Sequence, residues 1–268
     1  MDRLLAPPER PLFLCYHSGA MADLLLREAR DGVALFRMNR PDKRNAFNRD
    51  LSLAVTQAFD DAEAAAETRV VILTGTEDAF CAGADMTEAL ASIDAGVRGD
   101  VAAQAIARVG RFPKPVIAAV NGFAFGGGAV LAAVCDIRYA SDRASFRFPG
   151  ASYGLVVGGT QLPRLVGPAR AKELIYTART VDADEAGRIG LVERVLGHDE
   201  LEDAAWELAL QIAANSPDAL RWSKAVIDAA TLVEKGVELE IEANRALRGS
   251  DDHLSRFRAA TERVAKSE

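Results

Sequence analysis

Three stretches of this chain carry residue types whose spacing could do chemistry. The first is "GASYG", Gly150 to Gly154. It fits G-x-S-x-G, the nucleophile elbow of serine hydrolases, with Ser152 as the nucleophile. That motif needs a strand before it, a helix directly after it, and a histidine base, here His198 or His253. "ASFRF" reads as the strand, but "LVVGG" is a poor helix start. The second is "AFGGGAVLAAVCD", residues 124 to 136, where three consecutive glycines run into an apolar helix. It is neither G-x-G-x-x-G nor a P-loop, because no Gly-Lys-Ser/Thr comes after the glycines, and a nucleotide loop is therefore not its reading. Glycine is poor inside a helix, so either the backbone packs very tightly there or the backbone itself is the functional group. The third is "GTEDAFCAGAD", which makes a pair with the second. "VVILTG" runs into "EDAFCAGADM" as "PVIAAV" runs into "NGFAFGGGAVLA". Each is a buried strand ending in a glycine-containing turn before a helix. Adjacent parallel strands would bring both turns to one sheet edge. Two backbone N–H groups there, one at a helix N-terminus, could hold an oxygen that gains negative charge.

The elements that must position these turns are legible in the periodicity. "DLLLREARDGVALFRMN" reads as a hairpin turning at Asp31-Gly32. "NRDLSLAVTQAFDDAEAAAE" has helical spacing with an Asn48 cap. "RVVILTG" and "KPVIAAVNG" are short, fully apolar strands of the kind buried on both faces. The stretch from Met86 to Phe112 is helical but interrupted at Gly96 and Gly99, which predicts two helices and a joint. "IRYAS" and "ASFRF" predict short strands, a glycine-rich loop runs on to Gly159, and "LVERVL" predicts one late strand. From Glu200 onward the chain reads as four amphipathic helices, a lid or an assembly surface. Strand–helix alternation over the first two thirds predicts an α/β core with parallel strands.

Composition bounds the function. The 268 residues hold 32 basic and 39 acidic side chains, a net charge of −7, which argues against a broad nucleic-acid surface. No apolar run is long enough to predict a membrane span. Cys15, Cys81 and Cys135 are an odd, widely spaced set without CxxC, and His17, His198 and His253 form no HxxxH pattern. No metal site and no disulfide scaffold is expected, and reduced, packed thiols in a cytoplasm are the preferred reading. Residues 1–20 differ in character from the rest of the chain, and "PPERP" spoils a signal-peptide core. A loosely attached leader is expected before Met21, then a core over 21–199 and a helical region over 200–268, which the family resemblance given next makes an oligomerisation region.

With "RPDKRNAFN", "VVILTGTEDAFCAGADM", "KPVIAAVNGFAFGGGAVLAAVCDIRYAS", "FRFPGASYGL", "GGTQLPRLVG" and "AGRIGLVERV" in order, the chain from about Met21 onward resembles the crotonase, or enoyl-CoA hydratase/isomerase, superfamily. The resemblance implies a ββα spiral core with C-terminal helices that trimerise, commonly as a dimer of trimers. It implies an acyl-CoA thioester as ligand, with coenzyme A part of the substrate and no separate cofactor. The oxyanion hole carries over to the N–H groups of Ala84 and Gly127. Arg44, Ala46, Ala82 and Met86 fall where the family lines its CoA pocket, with Asp85 fixing the turn. Phe123, Phe125, Gly126, Val130, Gly150 and Tyr153 fall around the acyl group.

Two departures stand out. The family's hydratases carry one glutamate where this chain has Val130 and another where it has Gly150, and the "GLVVGGTQ" loop is about two residues shorter. Hydration needs a group to activate water and one to protonate the α-carbon, and valine and glycine do neither. A standard hydratase is therefore not expected. Tyr153, Ser152 and Glu88, with Asp94 beside them, are the substitute acid/base candidates, Glu88 reading more readily as part of a solvated helix face. Two readings stay open: a lyase or isomerase working on an enolate with a replacement base, or a non-catalytic acyl-CoA binder or carrier. A serine hydrolase using Ser152 comes third.

Overall fold

Val70, Val71, Ile72 and Leu73 are all fully buried, yet they do not share one core. Side chains alternate along a strand, so Val71 and Leu73 join Val55, Phe59 and Val109 on one side. Val70 and Ile72 join Ile117, Trp206 and Ala209 on the other. Covering both faces is what makes such a strand continuously apolar. In the computed structural model, which describes residues 24–95 and 101–265, this strand lies in the middle of the main sheet.

The chain enters as a hairpin, β1 (Leu25–Arg30) and β2 (Val33–Met38). Asp31 and Gly32 between them both have positive φ, 52° and 81°, as a two-residue type I′ turn requires. Asn48 caps α1 (Arg49–Ala64), its side chain accepting from the Leu51 N–H at 2.9 Å. Then a pattern repeats. β3 (Val70–Gly75) is followed by the short β4 (Ala79–Cys81) and by helices α2 (Met86–Asp94) and α3 (Val101–Gly110). β5 (Val116–Val120) is followed by the short β6 (Phe123–Phe125) and by α4 (Gly127–Val134). β7 (Ile137–Ser141) is followed by the short β8 (Ser145–Arg147) and a 3-10 helix over Gly150–Tyr153. Each turn adds one strand to a large sheet and one to a small sheet, which is the ββα spiral that the resemblance implies.

Among the described residues the large sheet runs β1-β2-β3-β5-β7-β10, with β10 at Arg194–Leu196. Apart from the hairpin its strands pair in parallel. Before β10 come α5 (Leu162–Val166), α6 (Pro168–Thr177), β9 (Thr180–Asp182) and α7 (Ala183–Arg188). The small sheet runs β4-β6-β8-β9. Of its three-residue strands only β8, inside "ASFRF", is read from the sequence; β4, β6 and β9 are too short to show a period.

The tail divides differently from the expectation. α8 (Leu201–Ala213) falls inside the expected oligomerisation region, which begins at residue 200, but it packs on the large sheet. Leu201, Ala205, Trp206, Ala209 and Ala213 are buried against Val33, Leu35 and Tyr139. α9 (Pro217–Thr231) and α10 (Glu234–Leu247) bury no residue fully. α11 (Asp251–Ala265) returns to the core, with His253, Phe257 and Ala260 buried. α2 and α3 are separate helices, as the sequence predicts. The expected leader and the joint at Gly96 and Gly99 lie outside the described residues.

Candidate functional site

The two strand-to-helix junctions are adjacent because β3 and β5 pair in parallel, Thr74 opposite Ala119. Two buried asparagines fasten them. Asn121, just past β5, accepts from the Gly75 N–H at 3.1 Å and donates to the Glu77 and Ala79 carbonyls at 2.9 and 3.2 Å. Asn45 donates to the same Ala79 carbonyl at 2.7 Å and accepts from the Arg40 N–H at 2.8 Å. Arg40 in turn donates to the Ala46 carbonyl at 2.7 Å and pairs with Asp85 at 2.8 Å. Loop 40–46 and both junctions therefore form one hydrogen-bonded unit.

Its product is a pair of neighbouring amides, those of Ala84 and Gly127. Phe47 bridges Ala84 in parallel, its N–H donating to the Gly83 carbonyl at 2.7 Å and its carbonyl accepting from the Asp85 N–H at 2.8 Å. A parallel bridge of this kind uses the flanking residues and turns the Ala84 N–H to the opposite side. Gly127 opens α4, where no carbonyl a turn earlier can accept its N–H. The two approach closely: a Cβ built on Gly83 would lie 3.3 Å from the Gly127 nitrogen, and one on Gly127 would lie 3.9 Å from the Ala84 nitrogen. Ala84 and Gly127 both line a cavity of about 1930 Å³. The three glycines have separate reasons. Gly126 has φ +53°. Gly127 leaves the space before its amide open. A Cβ on Gly128 would sit 1.9 Å from the Cys81 carbonyl oxygen, so there the packing explanation holds.

Arg44, Ala46, Ala82, Asp85, Met86, Phe125, Gly126, Val130, Gly150 and Tyr153 also line this cavity. Phe123, expected there, does not. Its ring is tilted against the Phe125 ring, centroids 5.5 Å apart, and lies under the Arg44 guanidinium at 5.2 Å, so it contacts two lining residues. Asp85 caps α2, accepting from the Glu88 N–H at 3.2 Å. Burial pushes its carboxyl up, but the bonds from Arg40 and the Glu88 N–H outweigh this and hold it below the usual range.

The acid/base candidates separate. Ser152 lies in the 3-10 helix and donates to the Pro149 carbonyl at 2.7 Å. There is no strand–nucleophile–helix elbow, and neither histidine is its base. His198 bonds Ser141 at 3.2 Å, and His253 donates from Nδ1 to the Tyr153 carbonyl at 2.7 Å. The hydrolase reading is thus corrected by the local geometry. Glu88 is exposed, lies outside the cavity lining, and accepts from the Arg49 N–H at 2.8 Å. It completes the N-terminus of α1 and is no acid/base at this site. Asp94 lines the cavity and pairs with Arg258 at 2.8 Å. Tyr153 lines it with its ring edge-on to Phe257, centroids 6.0 Å apart. Burial pushes the thiols of Cys81 and Cys135 up to about 12, so neither is a nucleophile at neutral pH.

At Gly150 a Cβ would meet the Val157 Cβ at 2.7 Å and its backbone nitrogen at 2.8 Å. The short loop thus fills the space a side chain at 150 would need. Sequence reading passes over Asn45 and Asn121, and also Glu240 and Asn244 of α10, which line the cavity and bond its loop. The visible signal for Asn121 is its place before Gly122, where a Cβ would sit 1.8 Å from the Asp78 carbonyl oxygen. Two backbones that close leave few side-chain routes to satisfy the polar groups around them.

Comparison with known proteins gives a consistent result. Residues 28–255 match the family model described as enoyl-CoA hydratase/isomerase. The chain is 41% identical over 224 residues to the short-chain-enoyl-CoA hydratase of Clostridium acetobutylicum, covering 81% of this chain and 84% of that one. It is 38% identical over 227 residues to the crotonyl-CoA hydratase of Syntrophomonas wolfei, covering 82% and 87%. A crystal structure of an enoyl-CoA hydratase/isomerase from Xanthobacter autotrophicus superposes with a TM-score of 0.81 at 31% identity, covering 91% of this chain and 96% of the other.

Proposed function

This chain belongs to the enoyl-CoA hydratase/isomerase family, and from that premise we propose that it binds an acyl-CoA thioester and polarises the carbonyl without hydrating it in the standard way. The observation that supports the reading is that the Ala84 and Gly127 backbones lie close together and line one cavity. Fixed N–H dipoles aimed at an oxygen that gains negative charge stabilise an enolate or a tetrahedral centre at no cost of reorganisation. The N-terminus of α4 adds its positive end. The family's acyl-CoA ligands extend to this chain as part of the proposal, with the adenine end toward Arg44.

The proton-handling half is absent at the two places where family resemblance puts it. Val130 and Gly150 carry no acid or base, and Val157 occupies the room beside Gly150. Relatives of this chain are named hydratases, so a direct assay decides. Crotonyl-CoA incubated with the protein and followed by loss of its conjugated-thioester absorbance should show binding, by calorimetry, without net hydration. Hydration at the rate of a family hydratase would overturn the proposal.

Tyr153 favours the enzymatic form of the reading over a carrier, because its side chain borders the cavity and a phenol can protonate a developing enolate. Exchange of the α-proton in deuterium oxide, read by mass spectrometry, separates the two. Enzyme-dependent uptake that is lost in Tyr153→Phe supports the enolate reaction. Tight binding with no uptake on saturated or unsaturated acyl-CoAs supports the carrier.

A further inference from the structure

The loop Leu155–Thr160 is the cavity wall next to Val130 and Gly150, and it is held from outside the spiral. Asn244 of α10 accepts from the Val156 N–H at 3.0 Å and donates to the Val156 carbonyl at 2.7 Å. Glu240 accepts from the Gly158 N–H at 3.2 Å with one oxygen and from the Thr160 N–H at 2.9 Å with the other. One turn earlier, a Cβ on Gly236 would lie 3.6 Å from the Thr160 side chain. Gly236, Glu240 and Asn244 are four residues apart, so they form one stripe along the helix. That stripe faces the loop, while Leu239 and Ile241 beside it are 59% and 53% exposed.

The loop has little of its own to fix it. Gly158 has φ +79°, and Gly158 and Gly159 supply no side chains to pack. The loop forms no strand: the Leu155 N–H donates to the Gly150 carbonyl at 2.9 Å, and the Val156, Gly158 and Thr160 amides find their partners on α10. Its position decides how much room lies next to Val130, since Val157 takes the space a Cβ at Gly150 would need and a Cβ built on Gly158 would lie 3.7 Å from the Val130 side chain.

We propose that Asn244 and Glu240 are positioning residues that set the far wall of the acyl pocket, so that α10 determines which acyl groups fit. Resting on the acyl-CoA reading above, the proposal adds that discrimination by acyl length lies in four hydrogen bonds from a helix outside the core. Neither side chain is required to touch the reacting atoms. Releasing the loop moves Val156 and Val157 outward and enlarges the acyl end while leaving the coenzyme A end unaltered.

The test compares Kd for butyryl-CoA, octanoyl-CoA and free coenzyme A, by calorimetry, in the full chain and in Asn244→Ala and Glu240→Gln. In each variant the octanoyl-to-butyryl affinity ratio should rise by about tenfold, the equivalent of one or two lost hydrogen bonds. Affinity for free coenzyme A should not change. Asn244→Asp retains the acceptor for the Val156 N–H but sets a carboxylate against its carbonyl, and should fall between. Folded variants with an unchanged ratio would overturn the proposal. If Asn244→Ala does not fold, Glu240→Gln, nearly identical in shape, carries the test. Amide exchange in the unmodified protein is independent of both: Val156, Gly158 and Thr160 should be protected, and exchange as fast as in an open loop would also overturn it. Failure of the unmodified protein to bind any acyl-CoA would instead sink the ligand reading, and this proposal with it.

Discussion

Gly127 and Gly128 are chemically identical neighbours with opposite expected responses to one added carbon. At Gly127 a methyl meets the Ile106 side chain at 3.4 Å, an ordinary contact, but stands within 3.9 Å of the Ala84 nitrogen. Gly127→Ala should fold with a melting temperature close to the parent and lose about 10- to 100-fold in any reaction that needs the oxyanion hole. At Gly128 the methyl would overlap the Cys81 carbonyl, so Gly128→Ala should lose about 3 kcal/mol or more of stability in denaturant titration. Equal effects in the two variants would remove the distinction between a functional and a packing glycine. Asp85 makes a prediction in pH. Its carboxyl is held below the usual range, so the stabilisation it supplies is full above the unfolded value of about 3.9 and is lost as pH falls through the lower folded value. Asp85→Asn should cost about 1–2 kcal/mol at neutral pH, with the gap to the parent closing in acid. A gap that widens in acid would contradict the pairing with Arg40.

At the scale of elements, the shortened loop and the 3-10 helix decide whether the glutamates of the hydratase pattern could be put back. Val130→Glu faces an open cavity, but Gly150→Glu meets both the side chain and the backbone of Val157. The double variant should melt below the parent by the equivalent of about 1–3 kcal/mol and still fail to hydrate crotonyl-CoA at the rate of a family hydratase. Parent-like stability with full hydration would show that the loop accommodates the change freely. Such constraints mark the border of what the sequence discloses. The hairpin, the buried strands and the Asn48 cap are local signals, whereas "GGG" after a buried strand leaves packing and a functional amide both open, and the Gly127 amide is singled out by the family resemblance. The small sheet does not show, because β4, β6 and β9 have three residues each and no period. Ser152 matches a motif whose meaning depends on a helix directly after it, which this loop does not form. Glu88 reads as a free carboxylate because its partner, the Arg49 N–H, is 39 residues away. Glu240 and Asn244 are hidden for the same reason, their loop partners lying 80 to 88 residues earlier.

The whole molecule carries apolar side chains on α9, α10 and the turn between them that the described residues do not cover. Trp222, Val226, Ile227, Val233, Leu239 and Ile241 are each more than half exposed, from 53% to 69%. An unpaired apolar face of this kind marks an association surface. We propose that it joins copies of the chain into a trimer or a dimer of trimers. Light scattering should give three or six times the 28.6 kDa chain mass, and Ile227→Asp with Ile241→Asp should reduce it toward one. A monomeric parent protein would contradict the proposal. No helix among the described residues is long and apolar enough to cross a membrane.

The claim on which the rest depends is that the Ala84 and Gly127 amides grip a thioester oxygen. It is tested most directly by the carbonyl resonance of an acyl-CoA labelled with carbon-13 at the thioester, recorded free and bound. Polarisation by two N–H donors should shift the resonance downfield on binding, and folded Gly127→Ala should lose that shift. A bound thioester whose carbonyl resonates as it does in water would contradict it.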